Sequence, residues 1–397
     1  MNIEANQITT IFLAVALLVI GGLLVDRVNV LRKFCIPAPV VGGLLFAIVV
    51  TILKGTGLVE VTLDTSLQSL FMVTFFTTVG LGASFKLIKL GGKLLVIYWL
   101  ACGFLALMQN AIGISLATVL GIDPLLGIMA GAVSMEGGHG AATAFGGTVE
   151  DLGVNSALSI GLAAATFGLV AGGLVGGPTV KRLITKHNLT PSEQEDGTGP
   201  AVEEKTAVDV NSHTFIVQIL LITLCMALGT YLGELFSAQT GFVLPGYVGA
   251  MFVAVIVRNI IDQTNKNMID MKSINLIGDV TLGIFLSMAL MSIKLWEIAD
   301  LALPILIIVA AQVVFIVLFG TFVLFRLLGK DYDAAVMVGG FTGHGLGATP
   351  NAMANMAAIT QKFGPSTKAY LIVPIVGAFL IDVFAMPIII TSINLFQ

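Results

Sequence analysis

Two polar, glycine-rich stretches stand out in a chain that is otherwise strongly apolar. They are SMEGGHGAATA at residues 134–144 and FTGHGLGATPNA at residues 341–352. Each contains Gly-His-Gly, which combines backbone that tolerates any φ angle with a side chain that can bind ligands or protons. Hydroxyl and amide groups in the same stretches offer orientable hydrogen bonds. The two stretches are therefore candidates for one binding site.

The candidate ligand-binding residues lie in or just beyond these stretches, except for Asp382 in the last apolar run. An ionisable side chain inside an apolar span is costly and usually functional. The full set is Ser134, Glu136, Gly137, Gly138, His139, Gly140, Thr143, Thr342, Gly343, His344, Gly345, Gly347, Thr349, Asn351, Asn355 and Asp382.

The composition predicts an all-α polytopic membrane protein to position these residues. Of the 397 residues, 57% are hydrophobic and 11% charged, and the mean hydropathy is +1.01. Soluble domains carry about 25% charged residues. Apolar runs of about 18 to 25 residues recur, and such runs can cross a bilayer as helices. Spans are predicted at residues 8–25, 38–54, 68–86, 94–120, 155–180, 215–236, 244–257, 276–293, 302–326 and 369–392.

The spans form two similar sets of five. LGIDPLLGIMAG at residues 120–131 aligns with LGKDYDAAVMVG at 328–339 at an offset of 208 residues, and His139 aligns with His344 at 205. A nearly constant offset indicates a duplication. The predicted domains are an N-terminal repeat at residues 1–186, a polar, acidic linker at 187–213 and a C-terminal repeat at 214–397.

An odd number of spans gives the two repeats opposite orientations, and the positive charges test this inversion. With the N-terminus outside, the predicted cytoplasmic loops hold all of the 19 lysines and arginines except Lys54 and Lys294. Both termini are therefore predicted to lie outside, with the linker in the cytoplasm.

Residues 124–150 and 332–365 are interrupted by Gly, Pro and His, and we predict that both are re-entrant hairpins. Non-helical backbone at membrane depth persists only when it is buried in protein or lines a wet cavity. The first hairpin would enter from outside and the second from the cytoplasm, so that their tips meet near the midplane. Inverted-repeat transporters bind substrate at such a place. Half-helix N-termini would face an anion, and unwound carbonyls would coordinate a cation such as Na⁺.

Close helix packing is the alternative explanation for the glycines. It accounts for Gly168, Gly172 and Gly176, which are spaced four apart on one helix face. It accounts poorly for the hairpin tips, which also hold histidines and a carboxylate.

Eight sequence blocks, spread in order over nearly the whole chain, carry a family resemblance. They are CIPAPVVGGLL (35–45), MQNAIGI (108–114), GIDPLLGIMAG (121–131), GGHG (137–140), ATFGLVAGGLVGGP (165–178), SMALMSIKLWE (287–297), GLGATPNAMANMAAITQKFGPS (345–366) and VGAFLID (376–382). Together they resemble the sodium/glutamate symporter family. The sequence departs from the family pattern at Met135 and Glu136, where small hydroxyl residues are common, and at Phe341 and His344.

The resemblance implies a transporter, not an enzyme: Na⁺-coupled symport of L-glutamate into the cell across the bacterial inner membrane. It further implies a homodimer in membrane lipid, an elevator-type alternating-access mechanism, Na⁺ as coupling ion, no other cofactor and no nucleic-acid partner. Na⁺ would bind backbone carbonyls of the two hairpins, and Asp382 would bind Na⁺ or the substrate ammonium. A structural salt bridge or a helix-end hydrogen bond is the alternative role for Asp382.

Several polar side chains have two possible roles. Gln109 and Asn110 either line the pathway or hydrogen-bond to another helix. His139 and His344 either bind substrate or protons, or are satisfied by backbone carbonyls.

Three other functions compete with glutamate symport. One is a Na⁺- or H⁺-coupled carrier of another small dicarboxylate. The others are a channel and an intramembrane hydrolase that uses Ser134 or Glu136 with His139.

Overall fold

The computed structural model describes residues 2–34, 36–56, 60–191, 211–264, 268–293 and 301–397, and the chain is mostly helical there. The first elements are β1 (Asn2–Ala5), α1 (Gln7–Arg27), α2 (Asn29–Lys33), α3 (Ala38–Gly55), β2 (Glu60–Leu63) and α4 (Gln68–Gly82). Next come α5 (Lys86–Val119), α6 (Pro124–Ile128), a π-helical turn (Met129–Val133), α7 (Gly138–Asp151) and α8 (Ala157–His187). The next three are α9 (Ser212–Thr240), α10 (Gly246–Thr264) and α11 (Met271–Met291). The last are α12 (Ala302–Phe319), a π-helical turn (Gly320–Leu324), α13 (Phe325–Leu327), α14 (Tyr332–His344), α15 (Thr349–Phe363), α16 (Thr367–Ile375), a π-helical turn (Val376–Leu380) and α17 (Ile381–Phe396).

Each predicted span lies mostly on helical residues, and the spans at 302–326 and 369–392 each run through a π-helical turn. By length and composition, seven helices of the described segments could cross a membrane. Large apolar side chains on them are exposed, such as Phe12 at 68% on α1 and Leu303 at 68% on α12. An apolar surface of this extent fits a lipid environment.

The chain divides into two compact units, and each takes one segment from either side of the predicted linker. Unit 1 comprises Met1–Ser84 with Val208–Asp300, and unit 2 comprises Phe85–Ala207 with Leu301–Gln397. Neither compact unit therefore corresponds to one predicted repeat. The division into repeats stays a sequence-based prediction. Residues 192–210, most of the predicted linker, lie outside the described residues.

In unit 1, α1 packs closely against α3 through glycines. A Cβ atom at Gly21 would collide with the carbonyl of Ala38, and one at Gly42 would collide with the carbonyl of Leu17. A second cluster, which joins α4 to α9, α10 and α11, consists of Leu81, Leu221, Ile222, Cys225, Ala254 and Ile274.

Unit 1 also holds a small parallel sheet that the all-α prediction missed. β1 pairs with β2 from Asn2 opposite Glu60 to Ala5 opposite Leu63. Each strand has only four residues, too few for an alternating pattern to be recognised in a sequence.

Unit 2 contains both Gly-His-Gly stretches. α5 enters it with a break at Gly92, whose φ of +56° is non-helical. α14 is buried along its whole length. A fully buried helix needs apolar or small side chains on all of its faces. The sequence YDAAVMVGGFTGH largely meets this condition.

Candidate functional site

The first Gly-rich stretch forms a helix–break–helix hairpin. Asp123 begins it, because its side chain accepts a hydrogen bond from Leu125 N at 2.8 Å and so caps α6. The chain passes through the π-helical turn and stops being helical at residues 136–137, and α7 returns from Gly138.

The second stretch forms a hairpin with the same parts. Asp331 caps α14 by accepting a hydrogen bond from Ala334 N at 2.7 Å. It follows Asp123 by 208 positions, the predicted repeat offset. α14 ends at His344, residues 345–348 form the break, and α15 leads away from it.

The two Gly-His-Gly motifs do not occupy equivalent places in their hairpins. His139 lies in the first turn of the returning helix α7, whereas His344 is the last residue of the entering helix α14. Matching the starts of the returning helices aligns Gly138 with Thr349 instead. The predicted equivalence of His139 and His344 is therefore wrong, because the two residues lie on opposite sides of their breaks. Both histidines nevertheless border a break.

The two breaks lie against each other within unit 2. Gly138 has a φ of +60°, which favours glycine. A Cβ atom built on it would lie 2.6 Å from the carbonyl oxygen of Gly347. This contact is the predicted meeting of two tips, whereas their position at the membrane midplane stays a proposal.

Hydroxyl groups of the two hairpins mostly bond to nearby backbone. Ser134 Oγ donates to the carbonyls of Met129 and Gly161. Thr143 Oγ1 donates to the carbonyl of His139 at 2.8 Å and Thr342 Oγ1 to that of Val338 at 2.9 Å. The two threonine bonds each lie within one helix, whereas Ser134 ties the first hairpin to α8. All three hydroxyls retain lone pairs that can accept.

Thr349 ties the second tip to an irregular part of the last helical stretch. Its Oγ1 donates to the carbonyl of Gly377 at 2.8 Å. The π-helical turn that contains Gly377 also receives a hydrogen bond at Leu380, from Trp99 Nε1 at 2.5 Å. Two carbonyls of this π-helical turn therefore accept side-chain hydrogen bonds next to the tip.

Two amides of the second hairpin dock on α8. Asn351 Nδ2 donates to the carbonyl of Leu169 at 3.2 Å, and Asn355 Nδ2 donates to that of Gly172 at 3.2 Å. The helix face that receives them is the stripe of Gly168, Gly172 and Gly176, where added Cβ atoms would clash with the second hairpin. Close packing, the alternative considered for these glycines, is therefore their role here.

Three further glycines of the candidate set, Gly137, Gly140 and Gly343, lie in or near the two breaks. Gly137 lies in the first break, and Gly140 lies in the first turn of α7. A Cβ atom at Gly343 would lie 2.4 Å from the backbone nitrogen of Ala352, so α14 and α15 pack closely there.

Each histidine has one polar partner. His139 Nε2 lies 3.0 Å from Thr166 Oγ1, and His344 Nδ1 lies 3.2 Å from the hydroxyl of Tyr98. His344 Nε2 is buried without a hydrogen-bond partner, beside the backbone of Gly377. Side-chain hydroxyls, not the carbonyls considered in the sequence, hold the two rings.

Two carboxylates come together although they are 246 positions apart in the sequence. Glu136 is 6% exposed, and both of its carboxylate oxygens are buried without a hydrogen-bond partner. Asp382 is half-buried and interacts electrostatically with Glu136. Neither of these two acids has an acidic counterpart in the other repeat.

A buried chain of amides supports the second break. Gln109 Nε2 donates to the carbonyl of Gly345 at 2.6 Å, and Gln312 Nε2 donates to the carbonyl of Gln109 at 2.8 Å. Asn110 Nδ2 donates to Ser392 Oγ at 3.0 Å. Both amides of α5 thus hydrogen-bond to other elements, although Gln109 Oε1 and Gln312 Oε1 keep unpartnered lone pairs.

Sequence reasoning missed Tyr98, Trp99 and Gln312 as neighbours of the tips. Gln312 was detectable in principle, because a polar residue stands alone in an apolar run. The two aromatics carry no such signal, since membrane helices contain many.

The arrangement does not form a transition-metal centre. Among the described residues, no group of three or more His, Cys, Asp or Glu side chains could hold a metal ion. Two carboxylates, carbonyls and amide oxygens suit a hard cation instead.

Comparison with known proteins agrees with the resemblance. The sodium/glutamate symporter profile matches residues 3–365. A sodium/glutamate symporter of Escherichia coli strain K12 is 43% identical over 382 residues, which are 95% of each chain. The chain belongs to the sodium/glutamate symporter family. Another symporter of that name, from Haemophilus influenzae, is 42% identical over 387 residues and 96% of each chain.

One solved structure also aligns with this family member. A sodium proton antiporter from Methanocaldococcus jannaschii covers 98% of each chain at 15% identity, with a TM-score of 0.45. A likeness at this level says nothing about function.

Membership in the sodium/glutamate symporter family means that the chain is not an enzyme, since its curated relatives are transporters. The site geometry agrees with this. Ser134 bonds to two carbonyls and His139 bonds to Thr166, whereas a serine hydrolase needs its nucleophile and base in contact.

Proposed function

We propose that this chain is a Na⁺-coupled symporter that carries L-glutamate into the cell across the bacterial inner membrane. The observation that carries the proposal is the 43% identity to a curated sodium/glutamate symporter over 95% of both chains. The site supports it, because two non-helical breaks meet at Gly138 and Gly347 and the first of them contains Glu136.

The two kinds of cargo would bind to opposite charges of the site. The first N–H groups of a helix have no partner within the helix, and the helix dipole favours an anion there. We propose that the N-termini of α7 and α15 receive the carboxylates of glutamate. Glu136 and Asp382, with carbonyls of the two breaks, would hold Na⁺ or the substrate ammonium.

Net charge explains why Na⁺ must accompany the substrate. Glutamate carries one net negative charge, and its entry into a negative cell is opposed. Each Na⁺ adds one positive charge, and each net charge gains about 2.3 kcal/mol per 100 mV. With two or more Na⁺ the cargo, glutamate and ions counted together, carries a net positive charge. Na⁺ would also offset the repulsion that Glu136 and Asp382 exert on an anionic substrate.

Several architectural features remain part of the proposal. They are the ten crossings in inverted repeats, the re-entrant hairpins, the outside termini with a cytoplasmic linker, the homodimer and the elevator movement. Both hairpins lie in one compact unit, which supports a substrate site that moves as one body. Light scattering of the detergent-solubilised protein would test the dimer, and a monomeric mass would contradict it.

Uptake into liposomes tests the function. We expect radiolabelled glutamate to accumulate above its external concentration only when Na⁺ is higher outside. Unlabelled glutamate, aspartate, citrate and malate are then compared as competitors of the labelled uptake. The true substrate should inhibit this uptake most strongly. Accumulation without a Na⁺ gradient would contradict the proposal, and equilibration that never exceeds the external concentration would indicate a channel.

Asp382→Asn tests the cation site within the same assay. It keeps the shape of the side chain and removes the charge, so we expect uptake to fall by about tenfold or more at low Na⁺. Asp279→Asn is the matched control, because Asp279 is an exposed acid in the middle of α11. Normal Na⁺ dependence in the Asp382 variant would remove this residue from the site.

A further inference from the structure

Unit 2 contains a basic cavity that takes no part in the site at the tips. It has a volume of about 490 Å³ and opens where α8 ends beside the end of α12 and the turns that follow. Its positively ionisable lining consists of Arg182, Lys186, His187, Arg326 and Lys330.

These cations have no counter-charge in the part of the chain that the structure describes. No acidic side chain lines the cavity. The ion pairs Arg258–Asp262 and Lys368–Asp333 do not include any cation of the cavity. Four permanent positive charges around one cavity repel each other, so the cavity favours an anion.

Most of the remaining lining is apolar, and part of it faces outward. Leu318 and Phe322 are 50% and 52% exposed, and both line the cavity with Val317. Phe325 is buried beneath it, with its ring centroid 5.3 Å from that of His187. A ligand that contacts both the cations and the outward-facing apolar side chains must carry a negatively charged head and an apolar body.

The cavity also lies at the end of the helices that the sequence predicts to face the cytoplasm. Both Arg182 and Arg326 belong to the positive charges that define this side. Basic pockets between membrane helices on the cytoplasmic side bind anionic headgroups.

We propose that this cavity binds one anionic phospholipid. Its phosphate contacts Arg182, Lys186, Arg326 and Lys330, and its acyl chains lie along Leu318 and Phe322. The lipid joins α8, which supports the second hairpin through Asn351 and Asn355, to the region that precedes α14. Anionic lipid therefore stabilises the unit that holds the proposed transport site.

The acidic linker is the competing occupant. Its residues Glu193, Glu195 and Asp196 follow the end of α8 closely in the sequence and lie outside the described residues. The segment SEQEDGTGP has no large apolar side chain to cover Leu318 and Phe322. The outward-facing apolar wall therefore favours a lipid.

Native mass spectrometry of the purified full-length protein tests the proposal, with phosphatidylglycerol and phosphatidylcholine as probes. We expect the wild-type protein to retain phosphatidylglycerol at least about tenfold better than phosphatidylcholine. Each cation near an anionic lipid surface contributes about fivefold, so Arg182→Gln/Lys330→Gln should weaken phosphatidylglycerol binding by about 25-fold. Lys181→Gln, an exposed neighbour that does not line the cavity, should leave binding unchanged.

A second pair, Lys186→Gln/Arg326→Gln, removes the same charge from other positions, so a folding defect in one pair does not decide the result. Unchanged phosphatidylglycerol binding in a folded pair variant overturns the proposal. Competition by glycerol 3-phosphate at equal concentration overturns it in favour of a site for free phosphate esters. A several-fold gain in lipid binding after Glu193→Gln/Glu195→Gln/Asp196→Asn overturns it in favour of the linker.

Discussion

At the scale of single residues, the structure separates side chains that hold the tips together from those left free to bind. Ser134, Asn351 and Asn355 donate their hydrogen bonds to backbone carbonyls. Glu136 and His344 keep buried polar atoms without partners. Because a buried unpaired polar group is costly, such groups persist where a ligand completes them. Specificity is therefore expected to depend on the second group.

Glu136→Gln tests whether the unpaired carboxylate belongs to the ion site. We expect the Na⁺ concentration that gives half-maximal glutamate uptake to rise about tenfold, because one negative charge of the site is lost. Glu234→Gln, on the exposed face of α9, is the control. A change in the apparent affinity for glutamate at saturating Na⁺, with no change in Na⁺ dependence, would assign Glu136 to the substrate ammonium instead.

Gly138→Ala tests the contact between the tips. A left-handed conformation costs a non-glycine residue about 1–2 kcal/mol, and the added Cβ would also press on the carbonyl of Gly347. We expect a lower unfolding temperature and strongly reduced uptake. Gly147→Ala is the matched control in α7, because a Cβ at Gly147 meets nothing within 4 Å. Equal behaviour of the two variants would mean that the tips need no close approach.

At the scale of elements, small residues decide which helices can lie side by side. α8 presents glycines at every fourth position to the second hairpin, and α1 and α3 meet through glycines in unit 1. Membrane helices gain little from hydrophobic burial against each other, so close packing and interhelical hydrogen bonds carry the association. The spacing of these glycines was readable in the sequence, but the partner of each face was not.

Gly176→Ala tests the docking of the second hairpin on α8. The new methyl group would collide with the amide of Asn355, and overpacking of this kind costs about 1–3 kcal/mol. The adjacent Gly177→Ala should be neutral or slightly stabilising, because its Cβ points into open space and alanine favours helix. Thermal unfolding of the two variants in detergent checks this, and equal unfolding temperatures would contradict it.

The side chain of Asp270 caps the start of α11, and a substitution there tests how much this cap stabilises the fold. Ser273 Oγ donates to Asp270 Oδ2 at 2.6 Å, and the N–H groups of Lys272 and Ser273 also donate to this carboxylate. The Ser273 hydroxyl is the main reason that the pKa of Asp270 is lowered. We expect Asp270→Ala to reduce the free energy of unfolding by about 1 kcal/mol at pH 7.

The same cap predicts a pH dependence of definite sign. Because the pKa of Asp270 is lower in the folded state, its ionised form stabilises the fold above the unfolded pKa of about 3.9. That contribution is lost as the pH falls through the folded pKa. The stability difference between wild type and Asp270→Ala should therefore shrink in acid. A difference that grows as the pH falls would contradict the capping role.

At the scale of the whole molecule, each compact unit combines a piece from the first half of the chain with a piece from the second. A chain cut within the linker would therefore separate the parts of both units. The two hairpins, one from each half, belong to a single unit, and so do Glu136 and Asp382. The proposed site therefore needs residues from both halves of the chain.

The predicted topology can be tested with single cysteines. The native Cys102 and Cys225 are buried, and Cys35, which lies outside the described residues, would be replaced by serine. We expect Gln397→Cys to react with a membrane-impermeant maleimide in spheroplasts and Ser192→Cys to react only after lysis. The reverse pattern would invert the predicted orientation, and labelling of both would contradict the odd number of spans in the second half.

The sequence by itself determined the membrane class, the positions of the helices and the two glycine-rich hairpins. Apolar runs, helix caps such as Asp123 and Asp331, and Gly-rich breaks are local signals, since they act through neighbours a few residues away. It also singled out Glu136 and Asp382, because charged groups are conspicuous in apolar surroundings.

Only the tertiary structure decided which of these residues meet. It brought Glu136 within electrostatic range of Asp382, placed Tyr98 beside His344, bound Asn351 and Asn355 to α8, and divided the chain into units that cut across the repeats. It also showed that the two histidines occupy different hairpin positions. These outcomes depend on side-chain packing between segments more than a hundred residues apart, and no local pattern encodes the distance between two such groups.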